Sequence, residues 1–201
     1  MSHVLFTGGG TAGHVVPVLP LLAQFAARGV QLSFVGSNSG LEAGLLADQP
    51  VTYYGIAAGK LRRYLSFENL LDAFRVVGGI YQAYRLLGRI KPQVVFSKGG
   101  FVSFPVVLAA WLRGVPVVAH ESDLTPGLAN RLAMPFVATL CLNFSVTPTG
   151  KFRGKVLHTG TPLRPALLHG DPERGREFLG AAADERILLV TGGSLGADVL
   201  N

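Results

Sequence analysis

Gly8, Gly10 and Gly13 follow the apolar run His3–Phe6 in the segment VLFTGGGTAGH and precede a helix-like stretch, which places G-x-G-x-x-G where it has chemical meaning. Such glycines let backbone N–H groups close on a pyrophosphate, and a helix N-terminus behind them favours its charge. A dinucleotide site also calls for an acid at the end of the second strand, to hold ribose hydroxyls. Here that position reads FVGSNSG, with neither Asp nor Glu directly after the strand, so NAD or FAD binding is disfavoured. His14 closes the loop. It suits either a capping or packing role or a place on a catalytic face, since ligands in such sheets sit at the C-terminal ends of strands.

Three more loops follow expected strands and so face the same crevice. SKGGFVSFP (97–105) is glycine-rich and opens a helix, a second anion-friendly N-terminus. HESDLTPGLANR (120–131) sets His120, Glu121 and Asp123 just past a strand; Glu121 is either a solvated loop acid or a functional carboxylate. HTGTPLR (158–164) puts Arg164 beside an expected hinge. Thr125, Pro126 and Gly127 read as a plain turn. Ser122 and His120 are too close in sequence to form a nucleophile pair, and no G-x-S-x-G elbow occurs, which argues against a serine hydrolase.

The elements that must carry these loops alternate between short apolar or β-branched runs and longer amphipathic stretches, the pattern of repeated β-α units on a parallel sheet. Strands are expected at 3–6, 31–35, 51–56, 93–96, 116–120, 137–142 and 155–158, and helices at 17–27, 41–47, 67–89, 105–112, 128–133 and 172–179. A last strand at 186–190 leads into a second glycine loop, LLVTGGSLGA, built like the first. A doubly wound fold begins with this unit, so its return predicts a second nucleotide-fold domain starting near Pro162 and still incomplete at Asn201. TPLRPALLHGDPERGR reads as the linker and entry to that domain.

Composition narrows the function classes. Hydrophobic residues make up 49% of the 201 and charged residues 15%, so a sizeable core is available and disorder is excluded. The net charge of +6 would suit nucleic acid, an anionic membrane or a phosphorylated ligand, but no Lys/Arg run dominates and aromatics do not interleave with the basic residues. Nucleic acid is therefore not expected as a partner. One cysteine, Cys141, allows no internal disulfide; its neighbours Leu140 and Leu142 place it in a buried strand. MSHVLFTGGG is no signal peptide, and no stretch reaches the roughly 18–20 uncharged apolar residues of a spanning helix, so a cytoplasmic protein with peripheral membrane contact is expected.

GGGTAGHVVP, KGGFVSFP, HESDLTPGLANR, TGTPLR and GGSLGA together, in this order and spacing, resemble the MurG-type glycosyltransferases, and the likeness runs through essentially all 201 residues as about the first half of a family member. The resemblance implies an α/β GT-B fold of Rossmann-like, doubly wound parallel sheets. An acceptor-binding domain would span 1–161 and the start of a donor-binding domain 162–201. The implied reaction is inverting transfer of N-acetylglucosamine from UDP-N-acetylglucosamine to the 4-hydroxyl of MurNAc in undecaprenyl-pyrophosphoryl-MurNAc-pentapeptide, in peptidoglycan synthesis. It needs no cofactor and no metal, and takes place at the cytoplasmic face of the cell membrane. Other readings are a different GT-B transferase acting on a glycolipid, and a non-catalytic lipid-diphosphate-binding fragment; the 201 residues alone are expected to be inactive.

Carried residue by residue, the resemblance makes His14 the first candidate for the catalytic base and Glu121 the second. Thr11, Ala12, Gly13, Asp123, Arg164 and Ser194 fall on the donor side, and Gly10, Gly99, Gly100, Phe101, Ser103 and Asn130 on the acceptor side. Ala12 stands where glycine is commoner, and Phe101 where tyrosine is frequent. HESD replaces HEQN, which puts a carboxylate, poorly suited to approach a diphosphate, where an Asn can contact the donor.

A membrane-anchored acceptor requires contact with the membrane. Leu70, Phe74, Val77 and Tyr81 recur at helical spacing, rimmed by Lys60, Arg62, Arg63, Arg75, Arg85 and Arg89, and Trp111 with Arg113 joins them. The same stripe would suit a helix buried against the sheet. Gly78-Gly79 argues against one continuous helix.

Overall fold

β1 (His3–Thr7) is buried at every position, as expected of a strand covered on both faces of a parallel sheet. In the computed structural model the described residues are 2–59 and 68–190, with side chains over 2–59 and 72–190. β1 is joined by β2 (Gln31–Ser37), β3 (Thr52–Ile56), β4 (Val94–Ser97), β5 (Val117–Glu121), β6 (Thr139–Leu142) and β7 (Lys155–His158) in one seven-stranded sheet of order β3-β2-β1-β4-β5-β6-β7. Every neighbouring pair is parallel. This is the doubly wound α/β sheet that the alternating pattern predicts.

Alternation along the strands divides the interior in two. Val4, Phe6, Leu32 and Phe34 pack with Leu22 and the helix α1 (Leu19–Ala27) on one face. Leu5, Val35, Val95, Val117, Ala119 and Leu140 pack on the other with α3 (Glu68–Ile90), α4 (Ser103–Leu112) and α5 (Leu128–Ala133). The short α2 (Glu42–Leu45) lies between β2 and β3. Cys141 is buried in β6 as expected.

Three expectations are corrected. The first helix does not open directly on the glycine loop. Two 3₁₀ turns, Ala12–His14 and Val16–Val18, intervene before α1. Pro20 has no N–H to give the Val16 carbonyl, so an α-helix cannot be hydrogen-bonded through VVPVLP from Pro17 onward. α3, by contrast, is continuous through Gly78-Gly79. At Gly79 a Cβ would collide with the Ala57 carbonyl, so this glycine lets the helix lie against the end of β3. Finally, residues 186–190 carry no strand. A strand exists by its ladder, and no described strand pairs with this segment.

The chain divides into two compact units, Met1–Pro162 and Leu163–Asn201. The second has a 3₁₀ turn, Pro165–Leu167, and α6 (Pro172–Leu179). Asp171 Oδ1 caps α6 by accepting from Glu173 N–H (3.0 Å) and Arg174 N–H (3.2 Å), and Gly180 ends it in the left-handed region at φ +66°.

Candidate active site

The chain runs outward from β1 to β2 and β3, then returns to pair β4 on the other side of β1. Strand order reverses between β1 and β4, and ligands of open α/β sheets sit in the crevice beyond the carboxyl ends at that point. There the glycine turns after β1 and β4 interlock. Gly9 N–H donates to the Gly99 carbonyl (3.3 Å). Gly100 (φ +86°) faces the Gly9 carbonyl so closely that a Cβ would not fit, and Gly10 (φ +86°) lies under the Phe101 ring. A cavity of 250 Å³ opens above them, lined by Gly10, Thr11, His14, Phe101, Glu121, Asp123 and Asn130 among others.

Glu42, absent from the sequence-level candidates, fixes the first turn. It is fully buried, and its carboxylate accepts from Gly10 N–H (2.7 Å) and Ser37 Oγ–H (3.2 Å). An acid does follow β2, then, but its oxygens are spent on the protein rather than open to a ribose. Tyr53 donates to the Ser37 carbonyl (2.7 Å), and burial followed by the Glu42 charge pushes its phenol up to about 12.

His14 is half-buried, with Nδ1 on Thr11 Oγ1 (3.0 Å). Burial lowers its pKa first and the Lys98 charge second, against the opposing pull of Asp123, Glu121 and the Gly9 carbonyl. The ring is therefore held neutral below the usual histidine range. Lys98 was likewise not singled out from sequence. It follows β4, is 3% exposed, and donates from Nζ to Ser122 Oγ (2.5 Å). Burial lowers its pKa while Glu121 and Asp123 support its charge. Its Cβ and the His14 carbonyl flank Gly8. One lysine directly after a strand at the reversal point was the available signal.

Glu121 is the last residue of β5 and 4% exposed, not a loop acid. Oε1 accepts from Asp123 N–H (2.9 Å); Oε2 accepts from Gly127 N–H (3.0 Å) and Asn130 Nδ2 (2.9 Å). With both oxygens so engaged, the carboxylate clamps the 122–130 loop. The clamp orients the Asn130 amide so that Oδ1, buried, accepts from no group among the described residues. His120 is structural: Nε2 meets the Gly160 carbonyl (2.9 Å), and burial lowers its pKa.

The remaining expected residues separate. Gly99 is buried under Asn130, while Gly100 and Phe101 line the cavity. Ser103, expected at the acceptor, is fully buried with its hydroxyl donating to the Gly100 carbonyl (2.7 Å), so it shapes the turn. Ala12 and Gly13 sit in the first 3₁₀ turn, outside the cavity lining. Asp123 has an exposed side chain, and its carbonyl accepts from Thr147 Oγ1 (3.1 Å). Arg164 caps the Pro165–Leu167 turn of the second unit, and Ser194 lies outside the described residues.

On α3, Phe74, Val77 and Tyr81 are 68%, 64% and 61% exposed, and Trp111 on α4 is 52% exposed, so the stripe faces outward. The buried face of α3 is a different one, made by Ala83, Leu86 and Leu87. Arg113 stacks on Tyr84 (3.8 Å to the ring centre) and donates to its carbonyl (2.8 Å), tying α4 to α3. The Leu70 side chain, Lys60, Arg62 and Arg63 lie outside the described residues. No helix of the described residues is long and apolar enough to cross a membrane.

Residues 4–141 match the glycosyltransferase family 28 N-terminal domain. The chain is 50% identical over 199 residues to the UDP-N-acetylglucosamine--N-acetylmuramyl-(pentapeptide) pyrophosphoryl-undecaprenol N-acetylglucosamine transferase of Legionella pneumophila (strain Lens), covering 98% of this chain and 55% of that one. It is 49% identical over 201 residues to the protein of the same name from Lachnospira eligens, covering 100% of this chain and 57% of that one. The crystal structure of Acinetobacter baumannii MurG superposes with a TM-score of 0.66 at 30% identity, over 83% of this chain and 47% of that one. The chain thus spans about half the length of the curated relatives it matches.

Proposed function

Since the chain belongs to glycosyltransferase family 28, residues 4–141 matching its N-terminal domain, we propose that it supplies the acceptor half of an enzyme of peptidoglycan synthesis. That enzyme transfers N-acetylglucosamine from UDP-N-acetylglucosamine to the 4-hydroxyl of MurNAc in undecaprenyl-pyrophosphoryl-MurNAc-pentapeptide. The observation that carries this reading is the convergence of neutral His14 and two interlocked glycine turns on one crevice at the β1/β4 reversal, with Lys98 buried behind the first turn.

With Nδ1 engaged by Thr11, Nε2 of His14 is the nitrogen that meets the acceptor hydroxyl. It takes the proton as the 4-oxygen attacks the anomeric carbon from the face opposite UDP, the bond to UDP breaks, and the configuration inverts. Gly10, Gly99, Gly100, Phe101 and Asn130 shape the acceptor side. Thr11, Ala12, Gly13 and Asp123 serve the donor, and Arg164 and Ser194 its leaving diphosphate, Arg164 by its charge. Phe74, Val77, Tyr81 and Trp111, bordered by Arg75, Arg85, Arg89 and Arg113, rest on an anionic membrane at its cytoplasmic face and bring the crevice to the lipid-linked acceptor.

The test is incorporation of labelled N-acetylglucosamine into lipid-linked MurNAc-pentapeptide by the two-domain protein carrying this chain. His14→Ala is expected to lower kcat by about 10²–10⁴-fold with little change in acceptor binding. Transfer to a diacylglycerol acceptor in place of the MurNAc one would overturn the substrate assignment.

A further inference from the structure

A larger cavity, 630 Å³, lies between α5 and the segment 143–154. It shares no lining residue with the 250 Å³ crevice. Met134, Val137 and Phe152, all packed against the core that carries α3 and α4, give it an apolar floor. Arg131, Lys151 and Arg153 stand around that floor, and no carboxylate of the described residues lines it. Among the described residues, none of these three side chains has a hydrogen-bond or ion-pair partner. Three unpaired cations over apolar walls are complementary to an anion attached to an apolar body.

The surroundings say which anion. The 3₁₀ turn Met134–Phe136 is a wall of the cavity on one side, through Met134 and Pro135. On its other side Phe136 packs on Trp111, ring centres 5.2 Å apart, and Trp111 belongs to the exposed apolar patch of α3 and α4. A phosphate held by the three cations would thus have its apolar body leading over this turn onto the patch.

We propose that this cavity seats the phosphate headgroup of an anionic membrane phospholipid, a site separate from the acceptor crevice that docks the domain on the bilayer beside the apolar patch. The proposal rests on the membrane reading above.

The test is sedimentation of the 201-residue chain with phosphatidylcholine vesicles, with and without phosphatidylglycerol. Neutralising the cavity in Arg131→Gln/Lys151→Gln/Arg153→Gln is expected to weaken binding to the anionic vesicles on the order of a hundredfold. A control of equal charge change, Arg28→Gln/Arg174→Gln/Arg186→Gln, is expected to weaken it less than about fivefold. Equal loss in the two triples means diffuse attraction and overturns the site. Soluble dihexanoyl-phosphatidylglycerol is expected to shift the amide signals of Arg131 and Phe152, whereas inorganic phosphate at the same concentration leaves them in place. Equal shifts with phosphate would make this a free-anion site and overturn the lipid assignment. Phe74→Ser/Val77→Ser separates the two readings. If it loses binding while the cavity triple keeps it, the cavity falls and the membrane patch stands; if neither loses binding, both fall.

Discussion

Two buried carboxylates, Glu42 and Glu121, hold the two halves of the crevice, and they differ in what they leave open. Glu42 reaches from α2 to Gly10, 32 residues away, and is enclosed completely. Glu121 binds its own loop, six residues on at Gly127 and nine at Asn130, and lines the cavity it helps to build. Both accept backbone N–H groups, so both serve to fix backbone. Only Glu121 passes that order to another side chain that lines the cavity, the Asn130 amide. An acid at the mouth of a sheet is thus defined by the saturation of its oxygens more than by its address.

That difference can be broken by mutation. Glu42→Ala, which orphans the half-buried Gly10 N–H and the buried Ser37 hydroxyl, is expected to cost about 3 kcal/mol of stability in a denaturant titration. Glu121→Ala should cost less, about 2 kcal/mol, with its effect confined to the 122–130 loop. Hydrogen exchange at Asp123 and Gly127 should accelerate, and acceptor binding should weaken in parallel. If Glu121→Ala abolished transfer while leaving loop exchange and acceptor binding untouched, Glu121 would be the base after all.

A third change probes the charge between the two clamps. Lys98⁺ disfavours protonated His14, so Lys98→Met is expected to raise the His14 pKa. Base activity is lost as pH falls through that pKa. The acidic limb of the rate profile should therefore move to higher pH, with activity at pH 6 falling more than at pH 8; an unmoved limb would separate Lys98 from His14. The smallest effect is expected at Tyr53. Its folded-state pKa is raised from 10.0 to about 12, so its stabilisation is whole below pH 10 and is lost as pH rises towards 12. Tyr53→Phe should lack that alkaline loss and cost about 1 kcal/mol at neutral pH through the missing hydrogen bond to Ser37.

The sheet was legible because each strand announces itself locally. The runs 3–6, 31–35 and 155–158 all appear as strands with ends shifted by two residues at most. The crevice was legible through its glycines and His14, whose spacing is also local. Glu42 and Lys98 were not, because their roles come from contacts across strands: Gly10 to Glu42, and Lys98 to Ser122, 24 residues on. Glu121 was visible but its surroundings were not, since nothing in HESD shows that two backbone amides and an Asn will close on its oxygens. Gly79 was misjudged for a similar reason: the Ala57 carbonyl it accommodates lies in another element.

The central claim is that the β1/β4 crevice takes the acceptor. Its most direct test is an amide-resolved NMR titration of the 201-residue chain with a short-prenyl analogue of the diphosphoryl-MurNAc-pentapeptide. Shifts are expected at Gly9–His14, Gly99–Phe101 and Asp123–Asn130, and they should weaken in Phe101→Ala. Shifts gathered instead on the 143–154 segment, or none at concentrations that saturate a protein carrying both domains, would contradict it.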